Sequence, residues 1–486
     1  MNDTVFGHPK GLVTLFFTEM WERLSYYGMR ALLVLFMTDQ VINGGMGMSD
    51  ADATAIYGIY TALVYLVALP GGWIADRIIG AQSAILAGGI IIMCGHFVLA
   101  IPSINTFFLG LLLVILGTGL LKPNISAILG ALYSPGDHRR DAGFSIFYMG
   151  INLGGMLGPI ICGALAQNQN YGWHYGFAVA GIGMLFGVIQ FWKTRHYLGI
   201  AGSQSFNING RQKSILISIC LILSLGSFWL SLINIEHIDF IKISEVTTYI
   251  ILSAAFGFFT YILLLGKLNS QERNRVWVII ALFLGAAMFW AGFEQAGSSL
   301  NLFASRYIKL EFGWITLYSS WFQSINSIFI IIFAPMFAYM WIWLAKKNLN
   351  PSTPTKFAIG LLFLALGFFM MVIASTIVAN GSQVMPTWLL LTYLFHTFGE
   401  LALSPVGLSV TTKLAPKRFV GQMMGIWFVA SALGNLIAGR IAGEFNANDI
   451  TSFPDQYLNI VLTSAGAGII LLIISKPLQK LMGNAE

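Results

Sequence analysis

Glu19, Glu22, Arg23 and Arg30 lie inside an otherwise apolar run from Leu12 to Thr38, with Tyr26 and Tyr27 between the two arginines. At about 100° per residue, all six side chains share one stripe of a helix. The run is long enough to cross a bilayer core of about 30 Å. A charged side chain at the bilayer centre costs roughly 2.5–3.5 kcal/mol, so four on one helix imply a stripe facing water or protein. The chemistry available is that of a buried arginine shared by two acids. The cation can bind an anion, and an acid it leaves unneutralised tends to take up a proton. A structural alternative stays open for Glu19, Glu22 and Arg23, which lie near enough to one end to snorkel.

Three more ionisable residues lie deep in apolar segments: Lys122, Glu294 and Glu400. Counting along the segments places Arg30 and Glu294 at one depth, each eighteen residues past the start of its run at Leu12 or Val276. Lys122 and Glu400 share a level nearer the middle, twelve and thirteen residues before Ser134 and Lys413. Opposite charges at matched depth in opposite halves of the chain suggest two gate pairs, Arg30–Glu294 and Lys122–Glu400. The four acids Glu19, Glu22, Glu294 and Glu400 exceed the three cations by one, which leaves a carboxylate for a proton.

Composition says what must position these groups. Apolar residues make up 57% of the chain, charged residues 9%, and mean hydropathy is +0.76, against about 25% charged residues in a soluble domain. The pattern is that of an all-α polytopic membrane protein. Apolar runs fall at 12–38, 53–75, 80–101, 106–131, 142–166 and 174–192, then 214–233 and 246–266, then 276–300, 314–343, 356–379, 386–412, 419–442 and 457–475. The expected domains are therefore a six-helix bundle over 1–192, a connector with two additional transmembrane helices over 193–275, and a six-helix bundle over 276–486. The extra pair reads as a peripheral packing hairpin, making 14 spans. Lysines and arginines such as Lys10, Arg77, Arg139, Lys193, Arg273, Lys346 and Lys417 crowd the loops on the side of the termini. That bias puts both termini in the cytoplasm. The net charge of +6 sits in these loops and is no nucleic-acid signal. Cys94, Cys162 and Cys220 all lie in apolar segments and imply no disulfide framework. No removable signal peptide is expected, because the first hydrophobic segment carries charges.

Two six-helix halves suggest a carrier built of repeats with its site at their interface. Gly71, Gly72, Asp76, Arg77 and Gly80 form a glycine-framed turn that resembles the loop between helices two and three of the major facilitator superfamily. A closer resemblance rests on the pattern Glu19, Glu22, Arg23, Tyr26, Tyr27, Gly28, on this turn, and on Phe144–Gly154, Gly119–Asn124, Phe293–Gln295 and Glu400–Pro405. Together these are similar to the proton-dependent oligopeptide transporter (POT) family, over essentially the whole chain.

That resemblance implies a major facilitator fold and a symporter importing di- and tripeptides with protons. Glu19 and Glu22 would take part in proton coupling, with Glu294 the next candidate. Arg23 and Lys122 would meet the peptide carboxylate, and Glu400, Asn152 and Asn326 its amine. Tyr26, Tyr27, Tyr65 and Trp427 would line side-chain pockets, and Arg30 with Glu294 would form the outer gate. The second-helix histidine of the animal branch falls at Gly58 here, which leaves coupling to carboxylates. Asn152 and Asn326 can equally be helix fasteners, and Tyr26, Tyr65 and Trp427 ordinary packing. The same fold could carry nitrate, a drug or a peptide-like antibiotic. The usual hydrolase and Walker signatures are missing from the sequence, so an enzyme is not expected; a channel is the remaining class. Peptides, protons and membrane lipid are the expected partners, with no cofactor, metal or nucleic acid. The resemblance places the protein in a bacterial cytoplasmic (inner) membrane.

Overall fold

The computed structural model describes residues 4–134, 136–203, 238–445 and 449–483, with single positions at 210, 214 and 218. The first helix of the middle pair, expected over 214–233, lies outside the described residues apart from positions 214 and 218. Among the described residues, twelve helices are long and apolar enough to cross a membrane. Helix α1 (Lys10–Thr38) is of similar length, at 29 residues, and is set apart by four charged side chains in its interior, Glu19, Glu22, Arg23 and Arg30.

The chain continues through α2 (Asp50–Leu66), α3 (Ala68–Ile74), α4 (Ala81–Leu99), α5 (Ile104–Ala131), α6 (Arg139–Ala166) and α7 (Trp173–Thr194). Further along the chain come α8 (Phe240–Leu265), α9 (Ser270–Phe293), α10 (Ser299–Tyr307), α11 (Ser324–Lys346), α12 (Thr353–Ala379), α13 (Thr387–Leu414), α14 (Val420–Gly443) and α15 (Phe453–Met482). Among the described residues, strands are confined to two short hairpins, Thr4–Val5 with His8–Pro9 and Glu311–Phe312 with Ile315–Thr316. The start of α9 shows how polar residues set a boundary. The Asn269 side chain accepts from the Glu272 amide at 2.8 Å while Glu272 accepts from the Asn269 amide at 3.0 Å. This reciprocal pair satisfies two of the donors a helix start leaves open.

Three expected spans have more local structure than an apolar run conveys. The run 53–75 is not one regular helix: α2 and α3 part at Val67, and Ala75–Ile79 forms a π turn that holds Asp76 and Arg77 before Gly80 ends it at φ +79°. The run 276–300 breaks at a 3₁₀ turn over Glu294–Gly297, between α9 and α10. The run 314–343 starts late, because Gly313 at φ +62° closes a hairpin whose second strand takes Ile315 and Thr316. An average of hydropathy registers none of these, since the breaks keep apolar residues on both sides.

The chain divides into two compact units: Met1–Gly47 with Leu63–Asp239, and Met48–Ala62 with Phe240–Glu486. In the first, α1 packs on α6 and α7, α4 packs on α5 and α7, and α3 lies on α5. In the second, α12 packs on α13 and α15, α9 on α14 and α15, α11 on α13, and α8 on α14. Residues 48–62 join this second unit. Asp50 accepts both guanidinium nitrogens of Arg306 there, at 2.5 and 2.7 Å.

Candidate functional site

In the first unit the charged stripe of α1 is buried. Glu19 is 3% exposed, Glu22 0%, Arg23 4% and Arg30 8%. Helix α6 makes this possible by its glycines. A Cβ on Gly154 would stand 2.3 Å from the Met20 carbonyl oxygen and 2.8 Å from the Arg23 Cβ. Only a residue without a side chain lets α6 lie against α1 at that level. On the other flank, the Thr18 hydroxyl donates to Gln190 of α7 at 3.0 Å, which ties down the turn below Glu19.

Arg23 is shared by the two acids, unequally. Its Nη2 donates to Glu22 at 2.7 Å and its Nε meets the other Glu22 oxygen as well, so the fork is closed on Glu22. Nε also approaches Glu19 Oε1 at 3.1 Å. The second Glu19 oxygen, Oε2, is buried with no hydrogen-bond partner among the described residues. A proton can settle on that oxygen without breaking a hydrogen bond within the protein. Aromatic faces line the cations: the Arg23 guanidinium stands 5.1 Å from the Tyr26 ring centre and 5.8 Å from Tyr27, and Arg30 stands 5.8 Å from Tyr27.

Lys122 sits half-buried on α5, its ammonium 4.1 Å above the centre of the Tyr65 ring. Such contacts hold a cation by about 0.5–2 kcal/mol. The next residue, Pro123, withholds a helical N–H, and Asn124 donates to the Leu120 carbonyl at 2.6 Å beside it. Asn152 is buried on α6, its amide nitrogen donating to the Tyr148 carbonyl of its own helix at 2.9 Å. Sequence reasoning thus named Glu19, Glu22, Arg23, Tyr26, Tyr27, Arg30, Tyr65, Lys122 and Asn152, and one compact unit carries all of them.

The second unit carries Glu294, Asn326, Glu400 and Trp427. Glu294 is buried at the break between α9 and α10. Asn326 of α11 and Glu400 of α13 are joined, the amide nitrogen donating to Glu400 Oε2 at 3.0 Å. Trp427 is buried on α14, with Phe357 edge-on at 6.2 Å, and it fills the space a side chain at position 407 would need. At Gly58, a Cβ would come within 3.1 Å of the Asn435 carbonyl oxygen and 3.2 Å of the Gly439 Cα. A side chain there would need the backbone of α14 to give by a few tenths of an ångström.

One residue in contact with this set was missed. Thr397 is fully buried and accepts from the Asn326 amide nitrogen at 3.0 Å. Its position three residues before Glu400, on the same helix face, was the available signal. Among the described residues no cluster of three His, Cys, Asp or Glu could hold a metal ion.

A model of the POT family (PTR2) matches residues 82–458. The chain is 42% identical to the peptide transporter YePEPT of Yersinia enterocolitica, over 99% of this chain and 97% of that one. It is 40% identical to a di-/tripeptide transporter of Lactococcus lactis, over 99% and 98%. Among solved structures it superposes on a mutant peptide transporter POT in complex with alafosfalin, with TM-score 0.90, 41% identity and coverage of 99% and 97%.

Proposed function

The chain belongs to the POT family, and from that premise we propose that it is a symporter carrying di- and tripeptides with protons by alternating access. The observation that carries the reading is a division of charge. One unit offers Arg23 and Lys122 against aromatic rings; the other offers a carboxylate bound to an amide, Glu400 with Asn326. A zwitterionic peptide needs those two kinds of partner at its two ends. In the proposed cycle its carboxylate goes to Arg23 and Lys122, and its ammonium to Glu400 and Asn326, with Asn152 a further amine ligand. Tyr26, Tyr27, Tyr65 and Trp427 supply apolar walls that accept side chains of different size. The names of the relatives, a peptide transporter and a di-/tripeptide transporter, support the substrate class.

Coupling is assigned to the Glu19–Glu22–Arg23 trio, where one guanidinium cannot neutralise two carboxylates. Arg30 with Glu294, and Lys122 with Glu400, are proposed to close opposite faces in turn. The finer architecture belongs to the same proposal: a major facilitator fold of fourteen helices, bundles over 1–192 and 276–486 around a two-helix connector, and both termini on the cytoplasmic side of a bacterial inner membrane. The test is uptake of labelled di-alanine into proteoliposomes, with and without a pH gradient acid outside. The expected result is concentrative uptake with the gradient and simple equilibration without it. Uptake no faster than in protein-free vesicles under either condition overturns the proposal.

A further inference from the structure

Asn326 presents two amide hydrogens, and both are committed: one to Glu400 Oε2 at 3.0 Å and one to Thr397 Oγ1 at 3.0 Å. Thr397 can only accept in that contact, because its single hydroxyl hydrogen goes to the Tyr393 carbonyl of its own helix at 2.7 Å. The hydroxyl is therefore an acceptor of fixed direction, anchored to the backbone of α13. The consequence for Asn326 is an amide that cannot rotate freely. Its nitrogen is held toward α13, and its carbonyl oxygen remains as an acceptor of the kind an ammonium needs. Glu400 is oriented in turn, since one oxygen takes the amide and the other stays available. Asn326 and Glu400 are half-buried, whereas Thr397 is 0% exposed beneath them.

We propose that Thr397 is a positioning residue for the amine end of the substrate: it touches no peptide, and through Asn326 it fixes the two acceptors that do. The proposal rests on reading Glu400 and Asn326 as amine ligands. It predicts an effect confined to substrates that carry an amine, which a merely structural threonine would not produce.

The experiment compares di-alanine with propionyl-alanine, the same molecule with hydrogen in place of the amine, as competitors of labelled di-alanine uptake in proteoliposomes. Wild type should prefer di-alanine. Thr397→Val and Thr397→Ala remove the hydroxyl, and Thr397→Ser keeps it. For Val and Ala the half-inhibiting concentration of di-alanine should rise about tenfold, the scale of one lost hydrogen bond, while that of propionyl-alanine stays put. Ser should remain within about twofold of wild type for both. Melting of each purified variant is followed in parallel, and if Val does not fold, Ala against Ser isolates the hydroxyl. Equal weakening of both ligands, or no weakening of either, overturns the positioning role. A wild type that transports di-alanine yet does not distinguish it from propionyl-alanine overturns the amine reading of Glu400, and this proposal with it.

Discussion

Neutralising Glu19 and neutralising Glu22 should have different consequences, although the two acids flank the same arginine. Arg23 closes its fork on Glu22 and reaches Glu19 through Nε alone. Glu22→Gln therefore leaves a buried guanidinium without its principal counter-charge. Removing one partner of such a pair costs about 3–5 kcal/mol, and burial of Glu22 at 0% and Arg23 at 4% leaves little water to screen it. Glu19→Gln leaves the Glu22–Arg23 pair whole and removes the acid whose Oε2 stands without a hydrogen-bond partner. We expect Glu19→Gln to melt close to wild type, to lose uphill proton-driven accumulation, and to keep peptide-for-peptide exchange, which moves no net proton. Glu22→Gln should melt well below wild type and lose both activities. Both assays on the same proteoliposomes, with melting of the purified protein, decide it. Full proton-driven accumulation by Glu19→Gln, or a stable, exchange-competent Glu22→Gln, would refute the reasoning.

Other consequences are open to measurement. Exchanging the charges in Arg30→Glu with Glu294→Arg should restore part of the transport that either change alone abolishes; no recovery at normal expression counts against that gate. Gly154→Ala puts a carbon 2.3 Å from the Met20 carbonyl oxygen. It should destabilise the protein by about 1–3 kcal/mol, the usual cost of overpacking, read as a lower melting temperature together with slower uptake. A single cysteine introduced near position 204 should resist an impermeant thiol reagent applied to intact cells, and labelling from outside would contradict the cytoplasmic placement of the connector.

What the sequence disclosed depended on the kind of signal. The stripe from Glu19 to Arg30 was legible because its residues share one helix, where spacing alone fixes a common face. Several helix ends agreed closely, since the sequence turns polar just past residues such as Thr38 and Ala379. The break at Glu294–Gly297 and the π turn at Ala75–Ile79 left no trace in apolar content, which reports transfer into lipid and not backbone geometry. Thr397 was hidden for another reason. Its importance lies in a contact with Asn326, 71 residues away, and no periodicity within one helix encodes a partner on another. The resemblance to the family supplied Asn326 and Glu400 as a set but not the hydroxyl beneath them. Gly58 is a similar case: the close approach of the α14 backbone to the position a Cβ would take is seen only in the structure.

The central claim is that peptide and proton move together, and flux coupling tests it most directly. Vesicles loaded with a pH-sensitive dye, with no imposed pH gradient and the membrane potential clamped by potassium and valinomycin, are given di-alanine outside. The account predicts acidification of the lumen that follows peptide entry, vanishes with a protonophore, and is lost in Glu19→Gln. A coupling of at least one proton per neutral peptide would support accumulation of roughly 500-fold from about 100 mV and one pH unit. Entry of di-alanine at the wild-type rate with no change in lumenal pH would contradict it.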